Sequence, residues 1–422
     1  MNTVVADLAL RSALNRRATL LLTVLAIAIG VGAFLAVEKV RSGARDAFER
    51  TISGTDLIVG TRTGSINLLL FTVFHIGEVP ANMSWESFER ISAWPEVDWT
   101  VPISLGDSFR NYRVVGTTPD FLEHYRYGDD RTLTLADGAW VADPFGAVLG
   151  AEVAAALGLA LDAPLTLSHG LRSADFSAHE NTPFRVAGIL RPTGTPVDRS
   201  VFVGLDGIEA MHFGWRSGAP TPMARLATPD RIARMDLTPD SITAAYLGLN
   251  SPMSILSVQR RINTDSQEPL MAALPGVTLS RLWEVVGATE RVMIVMTVLI
   301  VIVGLVSILV SLLATLGERR REIAVLRAVG AKPRDVFLLL MSEAGLVALA
   351  GALVGVVLVQ IATGVIAPLM ATRFGLTLTA QAPGLKDLYT VGGVFLMGVV
   401  LGALPGALAY RRALSEGLTV RI

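Results

Sequence analysis

"LGERRREIAVLRAVGAKPRDVFLLLMSEAGL", Leu316–Leu346, sets a dense cluster of arginines between two long apolar runs. Such a cluster marks a chain that leaves one solvent and re-enters it. The composition agrees. Of 422 residues, 51% are hydrophobic and only 17% charged, with a mean hydropathy of +0.52. A soluble domain carries roughly 25% charged residues. The net charge of −1 gives no overall basic field, so nucleic acid is not an expected partner. There is no cysteine, which excludes disulfides, thiolate metal sites and cysteine nucleophiles together.

Working outward, four uncharged runs reach the roughly 20 residues that a helix needs to cross a bilayer. They are residues 18–37, 292–317, 344–372 and 388–410, the third with Pro368 as the place where a break would fall. The first is too long for the roughly 7–15 residue apolar core of a cleavable signal, so it reads as an uncleaved anchor. The fold class is therefore a membrane protein of four transmembrane α-helices, one plus three. A large extracytoplasmic α+β domain is inserted after the first helix, over residues 38–291.

Arginine and lysine in short loops set orientation. Residues 1–17 hold Arg11, Arg16 and Arg17; residues 318–343 hold Arg319, Arg320, Arg321, Arg327, Lys332 and Arg334; residues 411–422 hold Arg411, Arg412 and Arg421. The short loop 373–387 has only Arg373 and Lys386. Both termini and the 318–343 segment are expected in the cytoplasm of a bacterial inner membrane, with loop 373–387 and the large domain in the periplasm.

Within that domain, "SWESFERISAW" reads as an amphipathic helix capped by Ser84. "FRNYRVVGTTPDF" reads as a strand ending at Gly116, "VLGAEVAAALGL" as a helix, and "APLTLSH" and "TPFRVAGIL" as strands. Two subdomains are one possibility. Pro220, Pro222, Pro229 and Pro239 mark a looser stretch. Stalks should continue the first helix over residues 38–50 and lead into the second over residues 282–290.

"RRREIAVLRAVGAKPRDVFLLLMSEA", "VLGAEVAAALG" followed by "FRVAGIL", and the tail "PGALAYRRALSEGL" together resemble the MacB/FtsX-type permeases of ABC transporters, the Lol-type lipoprotein-releasing permeases included. The resemblance covers nearly the whole chain. It implies a non-catalytic permease subunit that works as a dimer, with an identical or paralogous second permease copy. A separate cytoplasmic ABC ATPase would bind ATP and magnesium, and this chain would need no cofactor of its own. A periplasmic adaptor or lipoprotein and the membrane lipid are the other implied partners. The implied cargo is amphipathic: a lipoprotein, lipid or peptide. The alternative, within the same resemblance, is an FtsX-like scaffold that activates a periplasmic partner without moving cargo. Some MacB relatives carry a fused nucleotide-binding domain; with about 17 residues before the first span and no G-x-x-x-x-G-K-[ST] phosphate loop, this chain is expected to rely on a separate one.

The basic segment has the pattern such coupling needs. Ile323, Leu326 and Val329 recur at helical spacing, edged by Arg320, Arg327 and Arg334; Gly330 ends the helix and Pro333 starts the next turn. Arg321, Glu322, Ile323, Leu326, Arg327, Gly330 and Arg334 are thus the expected ATPase-coupling residues. A helix lying on anionic lipid headgroups is the competing reading. Gly351 and Gly355, and Gly398, Gly402 and Gly406, recur every four residues and predict close helix packing.

No catalytic residue is expected, since neither G-x-S-x-G nor H-E-x-x-H occurs. His169, His179 and His212, with Asp175 and Glu180, contain zinc-ligand types without a zinc-motif spacing, so no metal is assigned. His75 and His124 complete the histidines. Glu343 sits at the mouth of the third run, where it is either an interfacial pair or a functional group. Residues 66–77, "INLLLFTVFHIG", are too short to span, and read either as a buried element or as an exposed contact loop.

Overall fold

The computed structural model describes residues 17–77, 81–141, 143–169, 184–216, 219–220, 228–315, 325, 330–374 and 384–415. The chain divides into two compact units, one of long apolar helices and one α+β.

The helical unit takes most of α1 (Arg17–Glu49), α8 (Pro275–Thr315), α9 (Pro333–Phe374) and α10 (Leu385–Ser415), while residues 44–49, 275–286 and 372–374 at their ends belong to the α+β unit. Each contains a window long and apolar enough to cross a membrane. Their common core is Ile27, Val31 and Leu35 of α1, Leu305, Ile308 and Leu312 of α8, Ala344, Ala348 and Ala352 of α9, and Val391 and Val394 of α10. The outward faces stay apolar: Val303 is 65% exposed and Val365 71%. An apolar surrounding suits these faces, because water would leave each exposed methylene a cost of about 0.8 kcal/mol.

Two expectations change here. Helix α9 runs through Pro368 without a break, as apolar spans tolerate when one missing N–H is the sole loss. It also begins at Pro333, so residues 333–343 of the coupling segment belong to the helix of the third run.

The α+β unit holds a mixed sheet. Its strands are β1 (Leu57–Thr61), β2 (Val97–Phe109), β3 (Tyr112–Thr117), β4 (Leu135–Gly138), β5 (Gly146–Leu149), β6 (Phe184–Leu190), β7 (Ser200–Gly204), β8 (Ala244–Leu249) and β9 (Leu270–Ala273). The order across the sheet is β9-β1-β8-β2-β3-β7-β5-β6-β4. Helices α2 (Ser65–Val73), α3 (Trp85–Ser92), α4 (Asp120–His124), α5 (Ala151–Leu157), α6 (Leu205–His212) and α7 (Ile255–Asn263) complete it. Strands β1, β5 and β8 are buried along their whole length, so they read as continuous apolar runs and not as alternation.

The two expected subdomains are two lobes of one sheet. Strand β2 serves both: Val97–Ile103 pair with β8, and Ser104–Phe109 pair with β3 across a register shift between Leu105 and Ser108. One core gathers Leu57, Val59, Phe88, Ile91, Val258 and Ile262 on the β1/β8 side; another gathers Val114, Leu149, Val153, Phe184 and Val201 on the β3/β5 side.

Local expectations fare unevenly. Ser84 caps α3, its Oγ accepting from the Ser87 N–H at 3.3 Å. The Gly116 strand ends one residue later, at Thr117. "VLGAEVAAALGL" is a strand and then a helix: Val148 and Leu149 close β5, and α5 starts at Ala151 and ends on left-handed Gly158. "APLTLSH" yields only the pairs Pro164–Leu165 and Ser168–His169. Pro229 opens a short helix, Pro229–Ile232, whereas Pro222 lies outside the described residues. Residues 66–73 of the apolar segment lie in α2, with Leu68, Leu69, Phe71, Thr72 and Val73 buried, while Ile76 beyond the helix is 53% exposed. The buried reading holds for the helical part.

Candidate coupling site

Of the residues expected to couple to an ATPase, Arg321, Glu322, Ile323, Leu326 and Arg327 lie outside the described residues. The far end of the segment is described. Gly330 takes φ 101°, a left-handed turn that favours glycine. Pro333 then opens α9, and Asp335 reaches back so that its Oδ2 accepts from the Lys332 N–H at 2.8 Å. A third-position acid that accepts from the N–H of the residue before the helix is one half of a capping box, and it helps fix where the loop becomes helix. Arg334, in the first turn, is exposed. Asp387 does the same for α10, accepting from the Gly384 N–H at 2.9 Å. Glu343 is half-buried inside α9.

The glycines sit where helix backbones meet. A Cβ on Gly351 would lie 2.7 Å from Ile27 Cβ, and one on Gly355 2.8 Å from the Ala28 carbonyl oxygen, both on α1. On α10, a Cβ on Gly402 would lie 2.6 Å from Ala344 Cβ and one on Gly406 2.8 Å from Phe337, while Gly398 faces Ala348. Real Cβ atoms do not approach so closely. Helix α9 therefore touches α1 through one glycine pair and α10 through the other set. Gly304 of α8 meets the α1 backbone at Ala26 and Ile27, so α1 is flanked by α8 and α9.

Next to the ends of the apolar runs of α1, α8 and α10 lies a charge cluster that no local sequence pattern marks as a whole. Arg41 of α1 donates Nε to Glu38 Oε2 at 2.8 Å and Nη1 to Glu290 Oε1 of α8 at 2.5 Å. Lys386 of α10 donates Nζ to Glu38 Oε1 at 2.8 Å. Three helices are thereby tied by four side chains, of which Glu38, Arg41 and Glu290 are partly shielded from water and Lys386 is exposed. Glu38 and Arg41, three residues apart on one helix, are legible as a pair. Glu290 and Lys386 are not, because only the fold brings them near.

The histidines separate. His124 stacks on Trp99, with ring centroids 4.6 Å apart and planes 9° from parallel. His75 Nδ1 meets Ser200 Oγ at 2.9 Å; burial and the nearby Arg113 charge push its pKa down to about 4. His212 Nε2 stands 3.5 Å from Asp107. Burial works against its charge, but the Asp107 hydrogen bond prevails and its pKa is raised. The His169 backbone opposes Asp107 in strand register. His179, Asp175 and Glu180 lie outside the described residues. Among the described residues no group of three or more metal-ligating side chains gathers.

Comparison with known proteins agrees with this architecture. Residues 20–262, more than half the chain, match the MacB-like periplasmic core domain, and residues 294–418 match the FtsX-like permease C-terminal domain. The macrolide export ATP-binding/permease protein MacB of Azoarcus sp. is 27% identical over 96% of this chain and 57% of its own length. The pyoverdine export ATP-binding/permease protein PvdT of Pseudomonas syringae pv. tomato is 25% identical over 56% of this chain and 32% of its own. The chain thus spans about half the length, or less, of these relatives. The periplasmic region of MacB from Actinobacillus actinomycetemcomitans superposes with a TM-score of 0.32 at 11% identity, over 55% of this chain and 94% of that one. With four apolar helices and an α+β domain inserted after the first, the chain is a multi-pass membrane protein that belongs to the family of the MacB-like periplasmic core domain and carries an FtsX-like permease C-terminal domain.

Proposed function

We propose that the chain is the permease subunit of a MacB/Lol-type ABC transporter, relaying motion from a cytoplasmic ATPase to the inserted domain, which handles an amphipathic cargo. The observation that carries this reading is the cluster Glu38–Arg41–Glu290–Lys386. A bundle whose helices meet backbone to backbone at one set of positions and are ion-paired at another moves as a body. ATP and magnesium act in the partner ATPase, and the segment Arg321–Arg334 is where that partner docks. A second copy of the chain or a paralogue completes the membrane unit, with both termini cytoplasmic. The size of the inserted domain, and its match to the MacB-like core, favour cargo handling over FtsX-like signalling.

The test is Ile323→Asp and Leu326→Asp. A carboxylate buried at a docked apolar stripe costs several kcal/mol. Both variants should reach the membrane yet lose co-purification with the ATPase and its stimulated turnover. An undiminished complex with normal turnover would exclude docking at this segment. Orientation is tested with an impermeant thiol reagent on intact cells, since the chain lacks cysteine. Met253→Cys, 93% exposed in the wild type, should label, and Lys332→Cys should not.

A further inference from the structure

A cavity of about 480 Å³ opens in the α+β unit, lined by residues from the end of α1, from α2 and from the first turns of α8. Its floor is apolar: Ile52, Leu69, Phe74, Leu279 and Trp283. Phe48 packs on two of these rings, 4.3 Å from Phe74 and edge-on to Trp283 at 5.7 Å. Arg45 and Glu284 supply one charge of each sign at its lining. The volume falls in the range of small-molecule sites, roughly 300–1,000 Å³.

We infer that this cavity holds one acyl chain of a zwitterionic amphiphile, with the head phosphate against Arg45 and the ammonium towards Glu284. Three features support it. An apolar floor with few polar groups is what a hydrocarbon chain requires, each buried methylene contributing about 0.8 kcal/mol. Charges of opposite sign at the lining suit a head that carries both, and leave a singly charged head one unfavourable neighbour. Along the chain, Arg45 and Trp283 each lie fewer than ten residues from an apolar run. The inference rests on the amphipathic-cargo reading and narrows it to a chemical class and a place.

Gly276 gives a selective way to close the cavity. It contributes to the lining, and a Cβ added there meets no atom within 4 Å. Gly276→Phe should fill the space without strain, and Gly276→Ala should leave it open. The full-length protein in nanodiscs would be irradiated with a lysophosphatidylcholine bearing a diazirine in its acyl chain, and the adducts mapped by mass spectrometry. The expected result is labelling of peptides containing Leu69 and Leu279, unchanged in Gly276→Ala and at least about tenfold weaker in Gly276→Phe, with thermal midpoints alike. Equal labelling of the phenylalanine variant, or adducts confined to the apolar runs 18–37, 292–317, 344–372 and 388–410, would overturn the inference. The measurement needs no ATPase. ATP-driven release of an amphiphile with an unlabelled cavity would sink the site and spare the transport reading; labelling without release would do the reverse.

Discussion

Arg41 of α1 and Glu290 of α8 meet at 2.5 Å, and through Glu38 the pair extends to Lys386 of α10. Their side chains keep 32% and 20% of their exposure, so the pair is neither fully screened nor fully buried. Surface pairs contribute about 0–1 kcal/mol, and stranding one partner of a shielded pair costs more. We expect Arg41→Ala and Glu290→Gln each to lower stability by about 1 kcal/mol and to weaken ATP-linked activity by a larger factor. The charge swap Arg41→Glu with Glu290→Arg should recover part of both. Strict additivity in a double-mutant cycle would show that the pair carries no coupling.

Gly402 and Gly392 lie on the same helix and differ in surroundings. A Cβ on Gly402 would overlap Ala344, whereas one on Gly392 meets nothing within 4 Å. Overpacking costs typically about 1–3 kcal/mol. Gly402→Leu should therefore lower the thermal midpoint in detergent by several degrees, and Gly392→Leu should leave it nearly unchanged. Equal effects would mean that α10 does not pack as described.

The spans and the glycine ridges were legible because lipid imposes simple rules: long uncharged runs, and small residues where backbones meet. The inserted domain was less so. Its central strands are covered on both faces, so Val148 and Leu149 run apolar into Ala151 and read as one helix. The division into lobes turned on β2 serving both, which no local pattern reveals. The charge cluster needed Glu38 beside Lys386, a contact across 348 positions. The basic segment gave the family because its residue order is distinctive; its docking role remains the proposal argued above.

Acid should destabilise the inserted domain through His75. Its folded pKa, about 4, lies below the unfolded value of roughly 6.5. Between those values the unfolded chain binds a proton that the folded chain refuses, so stability rises with pH across that window. It is fully present above about 6.5 and lost as pH falls towards 4. Asp265, beside Arg90 at 2.6 Å, adds to the loss at lower pH. Burial would raise its pKa, but the Arg90 hydrogen bond and two backbone N–H donors hold it below the ordinary carboxylate value. Its contribution is lost as pH falls through that depressed pKa. His75→Gln should flatten the thermal midpoint between pH 6.5 and 4.5 relative to wild type, and an unchanged slope would remove His75 from the account.

Cargo should not cross through the spans of a subunit. A polar path through hydrocarbon needs donors and acceptors facing a wet cavity. In the apolar runs such groups are scarce, and most are turned inward on their own helices. Thr23 Oγ1 donates to the Thr19 carbonyl at 2.8 Å, Thr297 to Met293 at 3.0 Å, Ser307 to Val303 at 2.9 Å and Thr363 to Val359 at 2.6 Å. A hydroxyl that bonds the carbonyl one turn back is satisfied without water or cargo. Gln360 is the exception, its Nε2 buried without a partner among the described residues. A single amide does not make a path. On the function proposed above, the membrane helices would act as levers and cargo would meet the inserted domain. A photoreactive amino acid at Val303, 65% exposed on α8, should cross-link lipid or a second permease copy during ATP turnover and never cargo. Cargo adducts at Val303 that rise with ATP would replace the lever with a channel.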